Sequence, residues 1–182
     1  MSYNMYQLET ITNNQLRSNY VYLNKRLKLL TINGDSVNLE HVINTQDKFV
    51  IRFNDAGCSS CIEDFTNQIT NLHKLIEKLG DNNVIFLLNT KKPRDLLVFK
   101  KQFNLKCNLF ALDVGTLPLP IESEEDIVTY YYFVINQDYR TTECFVSIKE
   151  LTERTEFYFN SIVKKFEIAS IDTGKHILST KR

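Results

Sequence analysis

Two cysteines three positions apart, in the stretch Cys58-Ser59-Ser60-Cys61, are the residues whose type and spacing could do chemistry. They follow the strand-like run Lys48-Phe49-Val50-Ile51-Arg52-Phe53 and open a long helical pattern at Ile62. A dithiol at a strand-to-helix junction puts its first sulfur at a helix N-terminus, where orphan backbone N–H groups and the macrodipole favour the thiolate. The thiolate is the form that attacks a disulfide, so the setting is that of a redox cysteine. Spacing alone leaves half of a zinc site and a pair of inert thiols as further readings. A structural zinc needs four ligands. The remaining candidates, Cys107, Cys144, His41, His73 and His176, form no second close pair, and the strand-to-helix context favours redox chemistry.

The elements that must position the pair follow from the apolar pattern. Leu27 to Ile32 is a short apolar run, and Asn33-Gly34-Asp35-Ser36 is a turn signal. Val37 to Ile43 reads as a strand end and one helical turn, and Phe49 to Phe53 as a buried strand. Ile62, Phe65, Ile69, Leu72, Leu75, Ile76 and Leu79 fall at steps of three and four, which predicts a helix that Gly80 ends. Asn83 to Asn89 is a second strand, and Lys92-Pro93-Arg94-Asp95 starts a second helix running to about Phe103. Strands joined by helical crossovers are parallel and right-handed. Cys107 to Leu112 is a short strand, followed by a loop from Asp113 to Asp126. Tyr130 to Asn136 and Arg140 to Ile148 form a hairpin across Gln137-Asp138-Tyr139, and an amphipathic helix carries Leu151, Tyr158, Phe159, Ile162, Val163 and Phe166. Residues 1–26 read as an N-terminal extension in which Tyr20 to Leu23 could pair as a strand. Residues 167–182 read as a tail of uncertain order.

At 182 residues the chain fits one domain able to bury a core without disulfide staples. Its 22 basic and 22 acidic residues cancel, so no global field recruits nucleic acid or anionic membrane. Val84 to Leu88 is too short to span a bilayer, and residues 1–20 lack the apolar centre of a signal peptide; as written the chain reads as soluble. Four cysteines do not make a disulfide scaffold, so they leave the compartment open.

The order βαβα followed by ββα, with a CxxC at the first strand-to-helix junction, resembles the thioredoxin fold: a central mixed sheet flanked by helices, here with an N-terminal β-hairpin extension. More narrowly, Ile32 to Leu39 ahead of Phe49 to Cys61 is similar to the TlpA/ResA-like branch of thiol-disulfide oxidoreductases, and Tyr132-Phe133-Val134-Ile135-Asn136-Gln137-Asp138 is similar to that branch's hairpin segment. The resemblance covers residues 27–166, the thioredoxin-like domain. It implies that Cys58 is the exposed nucleophile and Cys61 the resolving thiol, acting on a protein disulfide or dithiol through a mixed disulfide. It further implies substrate contacts at Gly57, Ser59, Ser60, Thr129 and Tyr130, with no cofactor and no metal. Such proteins are usually exported or anchored, which implies a bacterial periplasm or cell envelope and membrane association only through an anchor absent from this chain; a cytoplasmic location stays open. A catalytically weak interaction module of the same fold is the alternative. A peroxidase reading is weaker because Asp55-Ala56-Gly57 precedes Cys58, and copper delivery is weaker still for want of a nearby histidine.

Three positions depart from that family. Tyr130, after Thr129, stands where the family has a cis-proline; a non-proline cis bond costs about 3–4 kcal/mol, so this bond is expected to be trans. Asn54 and Gly57 stand where tryptophans are common. Arg52 stands where thioredoxin has a buried acid; it cannot act as that base, although it could lower a nearby thiol pKa.

The remaining candidates have plainer readings. Cys107 is expected beside the Asn83 to Asn89 strand and Cys144 in the opposite edge strand, as buried free thiols, since a disulfide needs Cα atoms within about 7 Å. His73 reads as a surface helix residue rather than a base. Glu63 and Asp64 read as first-turn carboxylates favoured by the dipole. Glu122-Ser123-Glu124-Glu125-Asp126 reads as a solvated loop that could select a basic partner, and Tyr130-Tyr131-Tyr132 as strand alternation.

Overall fold

The structure is a computed structural model that describes residues 5–54, 59–122, 128–148 and 151–179, without the side chains of 59–61, 64 and 171–179. The strands are β1 (Lys28–Thr31), β2 (Ser36–Asn38), β3 (Lys48–Phe53), β4 (Val84–Leu88), β5 (Asn108–Ala111), β6 (Tyr130–Ile135) and β7 (Thr141–Phe145). The helices are α1 (Met5–Arg17), α2 (Leu39–Ile43), α3 (Ser59–Leu79), α4 (Pro93–Gln102) and α5 (Thr152–Ser179). One mixed sheet has the order β2-β1-β5-β4-β3-β6-β7. No helix among the described residues is long and apolar enough to cross a membrane.

β3 lies inside the sheet, parallel to β4 and antiparallel to β6, and all six of its residues are buried. A strand covered on both faces reads as a continuous apolar run, and its side chains still alternate between the two layers. Phe49, Ile51 and Phe53 enter one core with Phe65 and Leu72 of α3, Leu96 and Phe99 of α4, and Phe159 and Ile162 of α5. Val50 enters the other core with Ile11 of α1, Leu39 and Ile43 of α2, and Leu112 to Ile121 of the segment after β5. The crossovers β3-α3-β4 and β4-α4-β5 step the same way along the sheet, so right-handedness puts both helices on one face. Gly80 closes α3 at φ 85°, a conformation that Gly adopts without a Cβ penalty.

The termini are more structured than the sequence pattern indicates. α1 supplies a helix where no sustained periodicity is visible, because it buries Ile11 alone and the rest of its inward face is only partly covered. After it the chain runs along the outer edge of β7: Tyr20 N–H donates to Thr141 O (2.6 Å), Thr141 N–H donates to Val21 O (3.0 Å), and Tyr22 bridges Arg140. Asn19 Oδ1 and Gln15 Oε1 accept from the N–H groups of Cys144 (2.9 Å) and Val146 (3.2 Å). The segment thus occupies a sheet edge that would otherwise present unpaired donors. At the other end α5 continues through residues 167–179.

Candidate functional site

The register brings one group of chain ends to a single edge of the sheet. Phe53 pairs with Leu88 and with Tyr130, and Leu88 pairs with Ala111, so the carboxyl ends of β3, β4 and β5 meet the start of β6. In open sheets that edge is where binding crevices form. Phe65 lies edge-on to Phe53 (4.9 Å between ring centroids), and Tyr130 stacks flat on Phe53 (5.4 Å, 15°). These contacts hold the second turn of α3 over the end of β3.

α3 begins at Ser59, the residue after Cys58, so Cys61 falls in the first turn, one turn ahead of Phe65. The unbonded N–H groups and positive dipole end of this 21-residue helix therefore stand at the dithiol motif. Ser59 and Ser60 are its first two residues. Gly57 and Cys58 lie outside the described residues, as does any bond between the two sulfurs. The early helix start also moves Glu63 into the second turn, and no carboxylate occupies the first. The reading of Glu63 and Asp64 as first-turn carboxylates is corrected accordingly, because the helix takes in both serines.

No peptide bond among the described residues is cis, and the Thr129–Tyr130 bond is trans as expected from its chemistry. Tyr130 is 8% exposed. Its ring lies in the core, and its hydroxyl accepts from Gln68 Nε2 (3.2 Å). Gln68 also donates to Ser147 Oγ (2.7 Å) and accepts from the Tyr132 hydroxyl (3.4 Å). The corner at the start of β6 is therefore built from the Thr129–Tyr130 backbone, while the Tyr130 side chain belongs to a buried polar cluster. Asn54 ties that corner together: its N–H donates to Thr129 O (2.7 Å), its Nδ2 to Val128 O (2.9 Å), and its carbonyl accepts from Asn89 Nδ2 (2.9 Å).

Arg52 points to the opposite layer and is fully buried. Its Nε donates to Glu122 Oε1 (2.6 Å), and its two terminal nitrogens donate to the carbonyls of Leu112 (2.7 Å) and Asp113 (3.1 Å). Glu122 additionally accepts from the Tyr131 hydroxyl (3.0 Å) and Gly115 N–H (2.9 Å). Glu122 is 4% exposed, which corrects its assignment to a solvated acidic loop. A buried arginine requires an anion, and this one supplies it from 70 positions along the chain. Residues 123–127 lie outside the described ones. The Arg52 charge is thus already paired. Burial, helped by Glu122, pushes the Tyr131 hydroxyl well above its usual pKa.

The other two cysteines are free and buried, as expected. Cys107 belongs to the α3-side core and Cys144 to the opposite one. β5, inside the sheet, and β7, at its edge, are four strand steps apart, about 19 Å at roughly 4.8 Å per step. Burial pushes the Cys107 thiol up to about 12, with Asp81 adding to the effect. Burial does the same to Cys144, up to about 12, against a partial offset from the Ser18 hydroxyl. Neither can serve as a thiolate nucleophile near neutral pH. His73 is half-buried rather than freely exposed, with Nε2 2.9 Å from Phe103 O. Among the described residues no group of three His, Cys, Asp or Glu side chains is placed to hold a metal ion.

Sequence reasoning missed the buried polar partnerships of Asn54, Gln68 and Glu122. Gln68 carried a signal, since it lies seven residues after Cys61 on the stripe of Phe65 and Leu72, where a polar side chain must find buried partners. Asn54 and Glu122 carried none, because both partnerships are distant in sequence.

Comparison with known proteins finds the same architecture. No family model matches the chain, and no curated protein matches it. Among solved structures it is similar to the peroxidoxin BcpB from Mycobacterium tuberculosis, at 12% identity and TM-score 0.55 over 80% of this chain and 97% of that one. It is also similar to a thioredoxin-family thiol:disulfide interchange protein from Chlorobium tepidum, at 11% identity and TM-score 0.53 over 79% and 94%. A thiol:disulfide interchange protein from Bacteroides sp. matches at 15% identity and TM-score 0.51 over 80% and 92%. The chain has the thioredoxin-like fold.

Proposed function

We propose that this protein is a thiol-disulfide oxidoreductase in which Cys58 and Cys61 exchange with a disulfide or dithiol of a partner protein. The observation that carries the reading is the start of α3 at Ser59, directly after Cys58, beyond the carboxyl end of the interior strand β3. In the reductive direction the Cys58 thiolate attacks one sulfur of the partner disulfide, forming a mixed disulfide and releasing the partner's first thiolate. Cys61, as thiolate, then attacks the Cys58 sulfur, and the partner's second thiolate leaves as the Cys58–Cys61 disulfide closes. Two electrons pass from the dithiol to the partner, and the partner thiolates take up protons. The oxidative direction is the reverse. Gly57, Ser59, Ser60 and the Thr129–Tyr130 backbone are the contacts we assign to the partner chain, and the bacterial cell envelope is the compartment this chemistry fits.

Alkylation mass spectrometry across a glutathione redox series tests the reading. A reversible Cys58–Cys61 bond is expected, and Cys61→Ser should accumulate mixed disulfides on Cys58. A pair that never oxidises at any poise refutes it. The second reading, a recognition module with little turnover, is favoured by the trans Thr129–Tyr130 bond and the inward Tyr130 ring. It is distinguished by partner binding that survives replacement of both Cys58 and Cys61 by serine.

A further inference from the structure

α4 and the cavity beside its start carry a surplus of positive charge. Residues 91–106 hold Lys91, Lys92, Arg94, Lys100, Lys101 and Lys106 against one acid, Asp95, in a chain whose charges cancel overall. Asp95 accepts from the Thr90 hydroxyl (2.6 Å), and Lys100 donates to Cys107 O (3.2 Å). Among the described residues no carboxylate pairs with Lys92, Arg94 or Lys101. Steps of three and four put Arg94, Leu97, Val98 and Lys101 on one arc of α4, opposite the buried Leu96 and Phe99. All four are exposed, Leu97 by 43% and Val98 by 54%. Just ahead of α4 a cavity of about 340 Å³ is lined in part by Lys28, Ser36, Thr90, Lys91, Asp113 and Thr116. Lys91 and Asp113 are 3.9 Å apart and exposed, a pair of the kind that holds little. Cations gathered on one face repel one another, and an apolar pair rimmed by them has the make-up of a recognition surface.

We propose that this surface binds an acidic, partly apolar segment of a partner protein. One carboxylate enters the cavity between Lys28 and Lys91, where the Ser36 and Thr116 hydroxyls can donate to it, and others meet Lys92 and Arg94. An apolar side chain of the segment covers Leu97 and Val98. Charge complementarity selects this occupant. Two exposed apolar residues are too few to enter lipid, which takes a broad apolar helix face. The cavity opens on the carboxyl edge of the sheet, since Thr90 and Lys91 follow β4 and Asp113 follows β5. β5 is two strand steps from β3, about 10 Å at roughly 4.8 Å per step, a distance that about three extended residues span. A segment seated here can thus hold a cysteine of the partner beyond the end of β3. The binding site stands apart from the redox reading; its use in thiol-disulfide exchange rests on that reading.

Fluorescence anisotropy of a short labelled peptide of Glu and Leu, lacking cysteine, tests the site. It compares wild type, Lys91→Glu/Arg94→Glu, and a control of equal charge change, Lys74→Glu/Lys78→Glu, at exposed positions of α3. Binding should weaken roughly tenfold or more in the first variant, hold in the control, and fall with added salt. Equal weakening in both variants is a global charge effect and overturns the proposal, as does a peptide that does not bind wild type. Binding to phosphatidylserine vesicles without binding to the peptide overturns it in favour of a lipid surface. In wild type the amide resonances of Thr90, Leu97 and Val98 should move on titration with the peptide. Shifts that cluster elsewhere overturn the proposal whether or not the variants fold. Because the peptide has no cysteine, a Cys58/Cys61 pair that never oxidises refutes the redox reading and leaves this result standing.

Discussion

Replacing Glu122 by alanine removes the carboxylate from a side-chain cluster with almost no access to water. Arg52 would keep its bonds to the Leu112 and Asp113 carbonyls but lose its charged partner at 2.6 Å, and Tyr131 and Gly115 would each lose an acceptor. Breaking a buried ion pair from one side costs about 3–5 kcal/mol, because the surviving charge stays desolvated. For a chain of this size each kcal/mol moves Tm by about 2–4 °C, so a fall of roughly 6–20 °C is expected. Urea denaturation of wild type, Glu122→Ala, Arg52→Met and the Arg52→Met/Glu122→Leu pair measures the coupling. The double variant should be much less destabilised than the sum of the singles, since paired apolar replacement is often neutral or better by about 1–4 kcal/mol. Some loss should remain, because Tyr131 and Gly115 still lack an acceptor. A Glu122→Ala cost below about 1 kcal/mol, the scale of an exposed pair, would refute the account of this cluster.

Tyr130→Pro deletes a ring stacked on Phe53 and a bond from Gln68, and should cost about 3–5 kcal/mol as a buried aromatic truncation, read by thermal melting. In a folded variant, reductase activity equal to wild type would show that the missing proline does not limit turnover. Cys107 and Cys144 should resist iodoacetamide near neutral pH in folded protein and react on unfolding, counted by intact mass. Their folded-state pKa values are raised from 9.0 to about 12, so the stability tied to the neutral thiols is fully present below pH 9 and is lost as pH rises toward 12. A Cys107→Ala/Cys144→Ala variant should show a shallower fall in alkaline urea titrations. Asn19→Ala should free the Cys144 amide, lowering stability by about 1 kcal/mol and raising its hydrogen-exchange rate.

The α3 stripe, the Gly80 stop, the apolar β3 and β4 runs and the hairpin across Gln137 to Tyr139 were legible in the sequence, because each is written in neighbouring residues at a fixed period. The dithiol motif was legible for the same reason, as was the trans bond at Tyr130, which is a local property of the peptide. What only the tertiary structure decided are the partnerships across long separations. Arg52 looked like a possible modifier of a thiol until Glu122 was seen to hold its charge. Glu122 looked like the start of a solvated acidic run because its buried neighbours come from β3, β6 and the segment after β5. α1 escaped detection because it covers one rim with a single buried apolar residue and with side-chain amides, which carry no hydrophobic period. Hydrophobic patterning reports which face of an element is covered; it is silent on which polar atoms meet beneath that cover, and in this protein those meetings shape the edge at which the dithiol motif stands.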